Sequence, residues 1–286
     1  MAIKDGFILT RPSELGRIAI GKRNNKGYPV KLDHFIFTLP QANDNGAYEI
    51  DEKITKIHEE AMGTPVREIP IILPFETPDE VFYTSYADYK RRGVCDCYGN
   101  GITAKRNIGG EWTDVECGYR DCDFKIWKRP GKADIISCKP RGILSVWLPL
   151  VDKIGGVYKF RTSSKNTIGS ITSTLEQFYK LRGTLVGLVA KMVVFPKMVK
   201  TDEKSGSTQK IYVVRIEYEG SMDEMIRSIG AFGQKPAPKE IEGCVEDIST
   251  PDFDPIINED GDEPIDEPAD EVVQDREEDY GDDSDF

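Results

Sequence analysis

The last 47 residues set the first limit on what this chain can fold into. From Glu240 to Phe286 there are 21 Asp or Glu and one basic residue, Arg276, a net charge of −20. Pro251, Pro255, Pro264 and Pro268 interrupt the run. Ile256, Ile257, Ile265, Val272 and Val273 are too scattered to bury the apolar surface that would offset the entropy of ordering. The sequence predicts a body over 1–235, a linker over 236–250 and a disordered acidic tail over 251–286. Residues 1–239 hold 37 Lys or Arg against 29 Asp or Glu, a net of +8. The whole-chain charge of −12 therefore averages a basic body and a very acidic end. A body of that sign suits a polyanionic partner. The tail suits a mimic of that polyanion, a docking peptide, or a plain aid to solubility. Its end, with Asp282, Asp283, Asp285 and the closing ring of Phe286, offers a ring for an apolar pocket and charges for surrounding Lys or Arg.

The body reads as α+β and mostly antiparallel. Strands are predicted at 35–39, 69–75, 143–150, 157–162, 185–195 and 211–218, with 69–75 at a sheet edge because its prolines cannot donate to a ladder. Helices are predicted over 51–62, with Ile54, Ile57 and Met62 near one face, over 164–181 before Gly183, and over 222–229. Long antiparallel strands with one main helix suit a partly open OB-like barrel. No apolar run reaches the roughly 18 residues of a membrane span. The first twenty residues lack the pattern of a secretory signal, so a cytoplasmic protein without a membrane partner is expected.

Five of the six cysteines lie close together: Cys95, Cys97, Cys117, Cys122 and Cys138, spaced C-x-C-x19-C-x4-C-x15-C. In a reducing compartment such a cluster points to metal rather than disulfides. Four thiolates suit a structural tetrahedral Zn²⁺ within a unit over 90–142. Iron–sulfur ligation and unrelated buried thiols are the competing readings. His34 and His58 lie far upstream and read as ordinary histidines. Around the cysteines run Lys125, Lys128, Arg129, Lys132, Lys139 and Arg141, interleaved with Trp127 and other rings. Bases stack on aromatic faces while cations hold phosphates, so single-stranded DNA is the expected ligand. The competing reading has the rings packing a small core and the cations merely solvated. There is no G-x-x-x-x-G-K-[ST], H-E-x-x-H or G-x-S-x-G, and a zinc closed by four cysteines has no open position for catalysis, so no enzymatic activity is expected.

Several motifs occur in one order. They are Gly16-Arg17-Ile18, Pro29-Val-Lys-Leu-Asp-His-Phe35, Cys97-Tyr-Gly-Asn-Gly101, Cys117-x4-Cys122, Cys138-Lys-Pro-Arg-Gly142-x-Leu144 and Thr162-Ser163-Ser164. In that order the chain resembles phage recombination directionality factor-like proteins, zinc-containing accessory proteins of large serine integrases. The resemblance implies Cys97, rather than Cys95, as the first ligand, with Cys117, Cys122 and Cys138. Asn100 stands where the family pattern has Asp. It also implies a partner integrase that is turned from integration to excision. The acidic tail is similar to those of phage single-stranded DNA-binding proteins; Asp285 stands where the bacterial form has Pro. Two functions follow as expectations: single-stranded DNA binding in replication or recombination, with the tail docking a partner, and, as the alternative, control of a serine integrase.

Overall fold

The computed structural model describes residues 12–23, 29–43, 47–89, 95–118, 122, 126–127, 135–136, 138–200 and 208–227. The predicted linker and tail, with Asp282, Asp283, Asp285 and Phe286, lie outside them.

The strands are β1 (Ser13–Arg23), β2 (Pro29–Ala42), β3 (Tyr48–Ile50), β4 (Glu68–Ile72), β5 (Phe82–Tyr89), β6 (Cys95–Gly99) and β7 (Thr103–Ile108). They continue with β8 (Glu111–Glu116), β9 (Ile126–Trp127), β10 (Ile135–Ile136), β11 (Cys138–Val146), β12 (Gly156–Thr162), β13 (Val189–Lys200) and β14 (Thr208–Glu217). The helices are α1 (Glu52–Met62), α2 (Pro78–Val81), α3 (Lys165–Arg182) and α4 (Met222–Arg227).

The class is α+β and mostly antiparallel, but the expected OB-like barrel is not formed. One nine-stranded sheet runs in the order β3-β2-β1-β12-β11-β5-β6-β7-β8, and a three-stranded sheet in the order β14-β13-β4. β3 and β8 remain at separate edges, so the larger sheet is open. The reason is the pairing of β1 with β12. These strands run parallel, from Ser13 against Gly156 to Ile18 against Phe160. That contact inserts β1, β2 and β3 on one side of the β11–β12 hairpin while β5 to β8 extend the other. The sheet widens instead of curling back on its first strand. The cysteine-bearing strands β6 and β11 belong to this same sheet.

One face of the sheet is apolar. Ile18, Ile20, Phe35, Phe37, Leu144 and Phe160 are almost fully buried there and join Ile69, Ile71, Met192 and Val214 of the smaller sheet in one core. α3 packs against β14, β11 and β5. Gly142 gives it room: a Cβ at that position would stand 2.5 Å from the Phe82 ring and 3.2 Å from Ile168. β4 sits at the edge of its sheet, where Pro70 faces Lys191 without breaking a central ladder.

Local signals set the helices. The Asp51 carboxylate accepts from the Ile54 N–H at 3.2 Å and caps α1. Ser164 caps α3, and Gly183 ends it at φ 75°, its N–H bonding the Tyr179 carbonyl. The buried side of α1 is Ile54 and His58, whereas Met62, expected on that side, is exposed. An i, i+4 pair faces the sheet because the His58 ring stacks on Phe37, with ring centres 4.2 Å apart.

His58 is fully buried, and its Nδ1 donates to the Ile54 carbonyl at 2.9 Å. Its Nε2 has no hydrogen-bond partner among the described residues. Burial holds the imidazole below its usual pKa against the smaller opposing effect of the Ile54 hydrogen bond. A depressed pKa means that the unfolded chain binds the proton more readily. The stability contributed by neutral His58 is therefore intact above about pH 6.5 and is lost as pH falls toward the lower folded-state value. Urea midpoints at pH 7.5 and 5.5 check this: the loss on acidification is expected to be smaller in His58→Phe than in the parent chain.

Candidate functional site

The residues with the richest chemistry sit on strands β11, β5, β6 and β7. Ladder register places Cys138 opposite Asp88, Asp88 opposite Cys97, and Cys97 opposite Arg106. Directly paired residues share a face, so these four form one row across four strands. Cys117 follows β8, where its N–H bonds the Ile102 carbonyl at 2.8 Å. Cys122 is brought in through Arg106, whose Nη2 donates to its Sγ at 3.6 Å. The four thiols are electrostatic neighbours. Burial first, then Asp88 and the charges of Cys97, Cys117 and Cys122, push the Cys138 thiol up to about 12. Burial also raises Cys97, against the Arg106 hydrogen bond, and Cys117 and Cys122 add to the rise.

Cys95 has a different setting. The β5–β6 register shifts by one residue, from Asp88 opposite Cys97 to Tyr89 opposite Cys95. That bulge re-aims the side chain. The Cys95 Sγ approaches the Cys97 carbonyl at 3.6 Å, and burial pushes the thiol up to about 12 despite a hydrogen bond with Tyr89. Among the described residues no group of three or more His, Cys, Asp or Glu is drawn into metal-binding geometry. The donor set of Cys97, Cys117, Cys122 and Cys138 nonetheless has the composition of a tetrathiolate site.

The other face of the sheet is cationic. Arg161 on β12 holds Glu14 on β1 through two bonds, Nη1–Oε1 at 2.8 Å and Nη2–Oε2 at 2.6 Å. Arg17 donates from Nε to Glu14 Oε1 at 3.0 Å, and Lys159 Nζ lies 3.3 Å from Oε2. The Arg17 guanidinium also lies 3.7 Å from the centre of the Tyr48 ring. Arg17, Arg141 and Arg161 are all buried. Burial would raise the Glu14 pKa, but the Arg161 hydrogen bond and the charges of Arg161, Arg17 and Lys159 together hold it below the usual value.

Residues 15–219 match the Gp3-like, recombination directionality factor-like family. The chain belongs to that family. Neither the curated proteins nor the solved structures gave a match. Membership supports a regulatory, accessory role in a phage and is consistent with a non-catalytic protein. No helix among the described residues is long and apolar enough to cross a membrane.

In this directionality factor-like chain the expected site residues part company. Cys97, Cys117, Cys122 and Cys138 are electrostatic neighbours without metal-binding geometry among the described residues, and Cys95 hydrogen-bonds with Tyr89. Of the expected DNA contacts, Lys139 and Arg141 lie on β11, opposite Ala87 and Ser85. Trp127 is described only as the partner of Ile135 in a short ladder. Lys125, Lys128, Arg129 and Lys132 lie outside the described residues. The Glu14–Arg17–Lys159–Arg161 cluster was not anticipated. Its local signal was present, since Arg17, Lys159 and Arg161 alternate with apolar residues. What the sequence does not spell out is the parallel register that joins two distant strands.

Glu14 is the anion held among three crowded cations, so its neutralisation is costly. Replacing Glu14 by Gln keeps the shape and removes the charge. The variant is expected to lose about 3 kcal/mol of unfolding free energy, checked by urea denaturation at neutral pH. A loss too small to resolve would mean that the cluster is not what joins β1 to β12.

Proposed function

We propose that this protein is a recombination directionality factor that binds a serine integrase and turns it from integration to excision. The observation that carries the reading is the family match, which runs from β1 to just past β14. It covers the body and stops before the acidic segment, which supports the body as the integrase-facing part. The tail residues Asp282, Asp283, Asp285 and Phe286 are then assigned to a further partner, with the ring as anchor and the carboxylates as guides.

Within this proposal Cys97, Cys117, Cys122 and Cys138 hold a structural Zn²⁺. The convergence of four thiols from separate stretches of chain supports the assignment. Bound zinc would tie the loops after β8 and before β11 to the sheet, a folding contribution rather than a chemical one. Four protein thiolates complete the coordination and leave no position for an activated water.

Single-stranded DNA binding is kept as a second reading because of the outer face of the sheet. Lys139 on β11 and Lys159 on β12 lie there part-exposed, in a body of net +8, whereas Arg17, Arg141 and Arg161 are buried. Cations on neighbouring strands suit a phosphate backbone.

One experiment addresses the integrase and the zinc together. The full chain and its Cys→Ser variants are purified with the serine integrase of the same phage, and bound integrase and zinc content are measured. The parent chain is expected to retain integrase and about one zinc, in line with a four-cysteine structural site. Cys122→Ser is expected to lose the metal and weaken the complex, whereas Cys95→Ser keeps both. Full zinc retention in Cys122→Ser contradicts the ligand set, and an integrase that never co-purifies contradicts the function.

A further inference from the structure

The hairpin of β13 and β14 has two edges of different kinds. β4 pairs with β13 only from Val189 to Val193. The β13–β14 ladder runs without a register shift from Lys191 opposite Glu217 to Lys200 opposite Thr208. The far half of this ribbon therefore extends past the third strand. Pro196, Lys197, Met198, Thr208, Gln209 and Lys210 are exposed there, Met198 by 61%.

Two hydrogen bonds fix which backbone groups face outward. The Val194 N–H bonds the Arg67 carbonyl, away from β14. Val194 stands opposite Val214, so the two do not form a hydrogen-bonded pair, and the Val214 N–H also points away from its partner strand. That N–H donates to Thr167 Oγ1 of α3 at 3.4 Å. Backbone groups alternate in direction along a strand, so Tyr212, Lys210 and Thr208 turn their N–H and C=O groups to the same outer side. α3 meets the edge at Val214. From there to Thr208 no strand among the described residues pairs with it. On β13 the same alternation turns Pro196 outward, and a proline has no N–H to offer an added strand. The β14 edge has no such block. Tyr212, Lys210 and Thr208 form a template for a strand of five or six residues.

The side chains limit which strand fits. One face of the open stretch carries Tyr212 and Lys210, with the Lys210 Nζ 5.4 Å from the ring centre. The other carries Ile211 and, opposite it, Lys197, whose Nζ donates to Asn166 Oδ1 at 3.1 Å. Each face thus joins an apolar surface to a cation. A second copy of β14 laid antiparallel about Lys210 would set like charges side by side, which is unfavourable. A strand with an acid and an apolar residue on each face suits the edge. The chain contains one in Asp270-Glu-Val-Val-Gln-Asp275, outside the described residues. It is free of proline. Asp270 and Val272 fall on one face, and Glu271, Val273 and Asp275 on the other. Between Arg227 and Asp270 lie 42 residues. As a coil these span about 35 Å, and the whole of β14 is about 33 Å long, so the segment reaches the edge.

We propose that Asp270–Asp275 adds as a strand to the outer edge of β14, its acids meeting Lys210 and Lys197. Asp282, Asp283, Asp285 and Phe286 lie past the docked strand and stay available to the further partner suggested above. The docking does not rest on the integrase reading.

The test is amide hydrogen exchange on the full chain without integrase, read at Lys210 and Tyr212. It is compared with Val272→Pro/Val273→Pro, which removes two strand donors, and with Lys210→Glu, read at Tyr212. The parent amides are expected to exchange about tenfold more slowly than those of either variant. The difference is expected to shrink at about 0.5 M salt, where exposed charges are screened. Ile211 and Val213, whose N–H groups point to β13, are expected to keep their rates in all three chains, which shows the ribbon intact. Equal rates at Lys210 and Tyr212 in the parent and the proline variant overturn the proposal. Full protection of Tyr212 in Lys210→Glu also overturns it, because charge selects the segment. Protection that rises with protein concentration overturns it as well, since the occupant is then a second copy.

Discussion

The parallel contact between β1 and β12 is the joint on which the rest of the sheet depends. Its backbone hydrogen bonds are reinforced by Glu14 gripped from both sides by Arg161. Burying ions costs several kcal/mol each unless geometry and extra hydrogen bonds compensate. Here the carboxylate has a two-pronged guanidinium, a second arginine and a lysine around it. On the apolar side of the same joint, Gly16 lets the Tyr158 ring lie on the backbone, where a Cβ would come within 2.9 Å of that ring. A charge pair on one face and a missing side chain on the other bring two distant strands side by side. Everything from β3 to β8 is ordered relative to that seam.

The seam also separates two kinds of chemistry. The apolar face carries the core, and its continuation along β11, β5, β6 and β7 carries the row from Cys138 to Arg106. The opposite face carries the arginines. The cysteine row and the arginines stay apart because alternation along each strand sends neighbouring residues to opposite sides. Cys138 and Lys139 are adjacent in sequence and separated by the sheet.

What could be read from the sequence was local. Asp51, Ser164 and Gly183 mark their helices because caps act within a few residues. Pro70 of β4 marks an edge because it lacks a donor. The cysteine spacing drew attention to all five of Cys95, Cys97, Cys117, Cys122 and Cys138 because few other roles call for so many thiols together, and only the family resemblance preferred Cys97 to Cys95. The barrel expectation failed for a reason of the same kind. Alternation shows that strands exist but not which strands meet, and Glu14 and Arg161 are 147 positions apart. Met62 looked apolar enough to face the core, yet α1 buries Ile54 and His58, the latter stacked on Phe37, and leaves Met62 exposed.

The central claim is that the body acts on an integrase, not that it binds DNA by itself. The most direct measurement is recombination in vitro with the purified serine integrase of the same phage, scored separately on integration and excision substrates. Adding this protein should suppress the first reaction and permit the second, and a chain truncated after Gly243 should do the same. If both reactions proceed unchanged at saturating protein, the account is wrong about function, and the cationic face becomes the better guide to what the protein does.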